Sequence, residues 1–190
     1  MKNQTAPSAP IPTAAQIKKQ RVRRVCSVLF RVLLVLSTIL FTWITCWGCG
    51  LGWIDRARAG SNWPMEFVGY GQMMLVGSGL MTAGAVLVLL HRKNWLNWAA
   101  AGCAAAGLLL CLLSLYHVTA YAEEHSFYSQ LMQMPAATLY RIQILPVLLP
   151  FVCTVLLGML QFFSPEAVQR RREKKQLENQ KCDNNATKAH

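Results

Sequence analysis

Val32–Ile54, VLLVLSTILFTWITCWGCGLGWI, runs for 23 residues without a charge, and five Lys or Arg stand before it between Lys18 and Arg24. As a helix rising about 1.5 Å per residue it reaches roughly 34 Å, enough to cross a hydrocarbon core of about 30 Å. It reads as a transmembrane span. Ala57-Arg58-Ala59 imitates a small-x-small cleavage site. A secretory signal core is only about 7 to 15 residues long, however, so the segment is expected to remain as an anchor. Once one span is in lipid, the later apolar blocks must be read as spans too, because hydrocarbon accepts only backbone whose polar groups bond internally.

Those blocks place three further spans at about 67–90, 95–122 and 136–163. The fold class expected is therefore an all-α integral membrane protein, a four-transmembrane-helix bundle with short connections. Residues 1–24 are rich in Pro, Ala and small polar side chains before the basic run, and read as a disordered basic tail. Residues 25–163 form the transmembrane domain. In the last segment, 164–190, Ser164-Pro165-Glu166 has the grammar of a helix start, with a capping Ser, Pro at the first position and an acid near the positive dipole end. A basic helix and a frayed tail are expected there.

Charge sets the expected orientation. Four spans put both termini on one side. Of the 19 Lys and Arg, all but Arg56, Arg58 and Arg141 fall in the two tails, the 91–94 link, or Arg31 beside the N-terminal tail. Such a bias predicts both termini in the cytoplasm. The net charge of +11 is thereby explained by topology and lipid headgroups, and no nucleic-acid partner is expected. Arg170, Arg171, Arg172, Lys174 and Lys175 exceed what orientation needs, so this stretch is expected to touch the anionic inner leaflet or an acidic partner.

Two helix faces carry small residues at four-residue spacing: Ser78 with Thr82 and Gly79 with Ala83 on the second span, and Ala99, Cys103, Gly107 and Cys111 with Gly102 and Ala106 on the third. Small side chains let backbones approach, and the link between these spans is short, so a tight antiparallel hairpin follows. The connection Glu123–Pro135 places Phe127, Leu131 and Met134 on one helical face and reads as an interfacial amphipathic helix. Pro146 and Pro150 each remove a helical N–H bond, so the fourth span is expected to kink.

Of the seven cysteines, only Cys46 and Cys49 have a motif-like spacing, C-W-G-C, at the outer end of the first span. Two cysteines three apart can approach disulfide geometry and exchange with thiols. Four spans, cytoplasmic tails and this outer C-x-x-C resemble the bacterial membrane thiol oxidases of the disulfide bond formation protein B family. The resemblance implies a second cysteine pair in the second outer loop and a quinone as electron acceptor. Residues 122–134 contain no cysteine, so the chain departs from the family there. Packing is the role expected for Cys46 and Cys49, with a redox pair as the alternative.

No two histidines are placed to complete a metal or haem site, and there is no phosphate-binding glycine loop or Ser/His/Asp set. No metal or cofactor is expected. The function expected is a non-enzymatic subunit, accessory factor or oligomeric component, with a homo-oligomer or another membrane protein as partner, in a bacterial cytoplasmic membrane. A thiol-disulfide oxidoreductase is the alternative reading, and a small transporter built on the kinked fourth span is the third.

Overall fold

The computed structural model describes residues 14–60, 63–90, 94–129 and 132–163. One continuous helix opens it: α1 (Ala14–Ser37), a π-helical stretch (Thr38–Trp47) and α2 (Gly48–Arg58). The segment Lys18–Arg24, expected as part of a disordered tail, is the first part of this helix, whose start at Ala14 needs no break before the apolar run. After a Gly60 turn at φ +70° come α3 (Glu66–Leu90) and α4 (Asn94–Glu124). A two-residue ladder, β1 (Tyr128–Ser129) with β2 (Met134–Pro135), leads into α5 (Ala136–Phe162).

Four of these helical stretches, Arg21–Arg58, Glu66–Leu90, Trp95–Glu124 and Ala136–Phe162, are long and apolar enough to cross a membrane. They alternate up and down. The first helix packs on α3 and α5, and α4 packs on the same two, so the first helix and α4 face each other diagonally across the core. The α3–α4 hairpin has the most extensive interface.

The connection into α5 is not the amphipathic helix read from the sequence. Ser126 takes a left-handed φ of 51°, and Phe127 N–H bonds back to Ala122 O at 3.0 Å while Ser126 N–H reaches Glu123 O at 3.2 Å. This pair of backward bonds closes the C-terminus of α4. Gln133 turns the chain again at φ 50°, and antiparallel pairing matches Tyr128 with Pro135. Ala136 N–H then donates to Phe127 O at 2.8 Å. The helical periodicity of Phe127 and Met134 loses to two left-handed turns, the first closing the carbonyls of α4 and the second bonding Gln133 N–H to Ser129 O.

Where helices touch, glycine decides how closely. A Cβ on Gly107 would stand 2.5 Å from Gly77 O, and one on Gly84 would stand 2.8 Å from Ala100 O. The α3–α4 seam is thus backbone against backbone. A second close contact joins α2 to α3, where a Cβ on Gly71 would stand 2.6 Å from Gly50 O.

Candidate functional site

The first helix turns one file of small residues toward the bundle: Thr38, Thr42, Cys46 and Gly50, all buried, with Leu34 ahead of them. In an α-helix a four-residue step advances about 400°, so such a file would drift by roughly 40° per step. The π-helical stretch, bonded i to i+5, has the wider turn that holds the file inward. Its bonds show in Gly48 N–H reaching Trp43 O, and Thr45 Oγ1 follows the same spacing to Leu40 O at 3.1 Å. This inward file brings Cys46 into the core.

There Cys46 shares a buried cluster with Cys111 of α4. Both are within 1% of full burial. The Cys111 thiol donates to Met74 O, 3.9 Å away. Gly77 makes the space, since a Cβ on it would lie 2.8 Å from Cys111 Sγ. Met74 and Met81 belong to the same buried cluster. Cys49, three residues along the first helix, points elsewhere and donates to Gln143 Oε1 of α5 at 3.7 Å. Cys46 and Cys49 are free thiols, as are Cys26, Cys103, Cys111 and Cys153.

Beyond Cys49, toward the end of the bundle that carries the β1–β2 ladder, aromatic rings close the helices. Trp53 packs edge-on against Tyr140, and Phe67 packs edge-on against Trp63, Tyr70 and Tyr121. The Arg56 guanidinium lies 5.4 Å from the Trp63 ring centroid. His117 stacks on Tyr70, and Ser114 Oγ donates to Tyr70 O at 2.6 Å. Arg141 forms an exposed ion pair with Glu123.

The opposite end is fastened by polar side chains on helix-end carbonyls. Gln161 Nε2 donates to Val88 O at 3.0 Å, Arg23 Nη2 to Leu160 O at 2.6 Å, and Asn97 Nδ2 to Gly158 O at 3.4 Å. Val88 and Leu160 lie in the last turns of α3 and α5, where carbonyls have no helical donor. Between the two ends, the buried Thr42 hydroxyl has no hydrogen-bond partner.

The small residues singled out by spacing divide. Ser78 is buried but bonds within its own helix, to Met74 O at 2.6 Å, and Thr82 bonds to Ser78 O at 2.8 Å. Gly107 and Cys111 stand in the α3–α4 seam. Ala99 and Cys103 are only half-buried beside it, while Gly79, Ala83, Gly102 and Ala106 are exposed. The face used on α3, Gly77, Met81 and Gly84, lies one residue from the Ser78/Thr82 pair, and it meets Ala100, Ala104, Gly107 and Cys111 of α4. α5 runs helically through Pro146 and Pro150, and Thr154 Oγ1 donates to Pro150 O at 2.8 Å. Arg170, Arg171, Arg172, Lys174 and Lys175 lie outside the described residues, as does the helix start at Ser164.

That Cys111 shares a buried cluster with Cys46 escaped the sequence reading. The signal was depth: Cys46 lies 12 residues before the end of α2 and Cys111 13 before the end of α4, and those ends share one side of the bundle. Among the described residues, no group of three or more His, Cys, Asp or Glu is disposed around a common point for a metal ion. Comparison of the chain with protein-family models, with curated proteins and with solved structures returns no match.

Proposed function

We propose that this protein is a non-enzymatic integral membrane component, a subunit, accessory factor or homo-oligomer of four spans with both termini in the cytoplasm. The observation that carries the reading is the backbone-to-backbone seam of α3 and α4, continued by the Gly50–Gly71 contact of α2 with α3. Helices locked at that distance leave no lumen along those seams, and favour a static, packed element over a path for a solute. The charge distribution supports the orientation, with sixteen Lys and Arg on the tail side and three opposite or near it. A bacterial cytoplasmic membrane, with its anionic inner leaflet, is the setting that fits those tails.

The thiol-oxidase reading draws less support, because Cys46 is buried in the core while the Cys49 thiol is bonded to Gln143 of α5. The test is extraction of the tagged full chain from native membranes into lipid nanodiscs, followed by native mass spectrometry. A fixed stoichiometry with a second copy or another membrane protein supports the proposal. A monomer that oxidises added dithiols, or moves a solute across proteoliposomes, overturns it.

A further inference from the structure

We propose that the exposed face of α1 around Arg24 and Arg31 binds one anionic phospholipid, whose phosphate sits on the guanidinium groups and whose acyl chain lies along the valines between and beyond them. The inference rests on the four helices spanning a bilayer and is independent of any protein partner.

The two arginines are seven residues apart, with Val28 between them and Val35 one turn further on, so all four share one helical face. Two shallow grooves run end to end there. Arg24, Val25, Val28, Leu29 and Val32 line the first, and Arg31, Val32, Val35 and Leu36 line the second. Each groove carries one cation at its N-terminal end and only apolar side chains beyond it. Valine holds a fixed χ1 in a helix, so these apolar walls are formed before anything binds. The depth suits a headgroup. Leu34, three residues past Arg31, shares a buried cluster with Val88 and Leu157 in the last two turns of α3 and α5. Arg31 therefore lies where the bundle ends, and its side chain, tilted toward the helix N-terminus, carries the guanidinium out to the headgroups.

No carboxylate among the described residues neutralises these cations. Asp55, Glu66, Glu123 and Glu124 all belong to the opposite end of the bundle. The neighbouring Arg23 is half-buried and already donates to Leu160 O. Arg24 and Arg31 are exposed, on a surface where Val25, Val28, Leu29 and Val32 are each more than half exposed. The occupant must bring a negative charge and an apolar chain together, which is the chemistry of an anionic phospholipid. Its phosphate oxygens match the guanidinium fork with two parallel hydrogen bonds. The stretch that follows α5 carries Glu166 and Glu173 against five Lys and Arg between 170 and 175, so it brings more positive charge than negative.

The experiment uses the full chain in detergent micelles, titrated with dioleoylphosphatidylglycerol or dioleoylphosphatidylcholine and read by native mass spectrometry. One phosphatidylglycerol retained per chain, about 10-fold or more tighter than phosphatidylcholine, is the expected result, and this comparison needs no variant to fold. Arg31→Gln should weaken retention roughly 10- to 100-fold, the worth of a hydrogen bond to a charged group. Arg31→Lys keeps the charge and loses the fork, and should weaken it several-fold. Arg58→Gln removes an equal charge at the other end of the bundle and should change nothing. Val32→Phe fills the point that the two grooves share and should weaken retention with both arginines intact. Equal retention of the two lipids, wild-type retention in Arg31→Gln, or full competition by glycerol phosphate would each overturn the site, the last by showing that a headgroup alone is enough. A chain carrying Glu166→Gln and Glu173→Gln that retains several-fold more lipid would also overturn it, by showing that the tail carboxylates occupy the arginines.

Discussion

Gly107→Ala tests whether the bundle is held at backbone contact. The new methyl would stand 2.5 Å from Gly77 O, 2.7 Å from Met81 N and 2.8 Å from Met81 Cγ, against ordinary contact from 3.4 Å. Two of the three obstacles are backbone, which cannot swing aside as a side-chain tip can. α3 and α4 must separate by roughly 1 Å, and a gap of that size forfeits about a quarter to a half of the dispersion energy of the atoms on either side. Over-packing of this kind costs about 1–3 kcal/mol, and backbone obstacles place it toward the upper end. Alanine recovers about 1 kcal/mol through its better helix preference, leaving a net loss of roughly 2 kcal/mol, about 30-fold in the folded-to-unfolded ratio. Gly102→Ala is the control, because no atom lies within 4 Å of its Cβ position, and it should be neutral or stabilising by up to about 1 kcal/mol. The assay is reversible unfolding in mixed micelles, followed by tryptophan fluorescence. Equal effects of the two substitutions, or a stabilised Gly107→Ala, would refute the seam.

In the same assay Thr42→Val should stabilise by about 1 kcal/mol or more, since it replaces a buried hydroxyl that has no partner with a methyl of the same shape. A loss above about 1 kcal/mol would mean that the hydroxyl is bonded. Gln161→Met removes the bond to Val88 O together with the unpartnered Gln161 Oε1, so it should change stability by less than about 1 kcal/mol. Arg23→Met removes the charged donor on Leu160 O and should cost about 1 kcal/mol, the usual worth of a cation at a helix C-terminus. Glu123→Gln should shift the unfolding midpoint by less than about 0.5 kcal/mol, because both members of its ion pair with Arg141 are largely exposed, at 49% and 61%.

Helix number and the hairpin of α3 and α4 were legible because each depends on long-range composition. A run of apolar residues can satisfy its backbone in hydrocarbon in few ways, and a link of a few residues leaves its two helices antiparallel neighbours. The contact face was less legible. Steps of four residues occur at Ser78/Thr82, Gly79/Ala83 and Gly77/Met81 alike, and which stripe faces α4 is set by the rotation of a whole helix against three neighbours. No single pair of small residues specifies that rotation. The ladder at 128–135 was hidden for a related reason. Ser126 and Gln133 adopt left-handed angles without being glycine, so composition gave no turn signal.

The cysteines show how a motif can draw attention to the wrong neighbours. C-W-G-C is adjacent in sequence, yet three residues turn an α-helix by about 300°, and a wider turn places the two side chains differently again. Thr38, Thr42, Cys46 and Gly50 recur every four residues, a period that drifts off the face of an α-helix and stays on the face of a wider one. The π-helical stretch keeps that file of small residues on the core side, and at its end Gly50 meets Gly71 of α3, which has no side chain of its own. Cys46 is therefore carried into the core, where it shares a buried cluster with Cys111, through the width of one helix. The prediction that separates this account from a motif-centred one is labelling order. A membrane-permeant maleimide should modify half-buried Cys49 well before Cys46, and Cys111→Ala should speed labelling of Cys46 while leaving Cys49 unchanged. Equal rates at Cys46 and Cys49 in the wild type would return the pair to its motif.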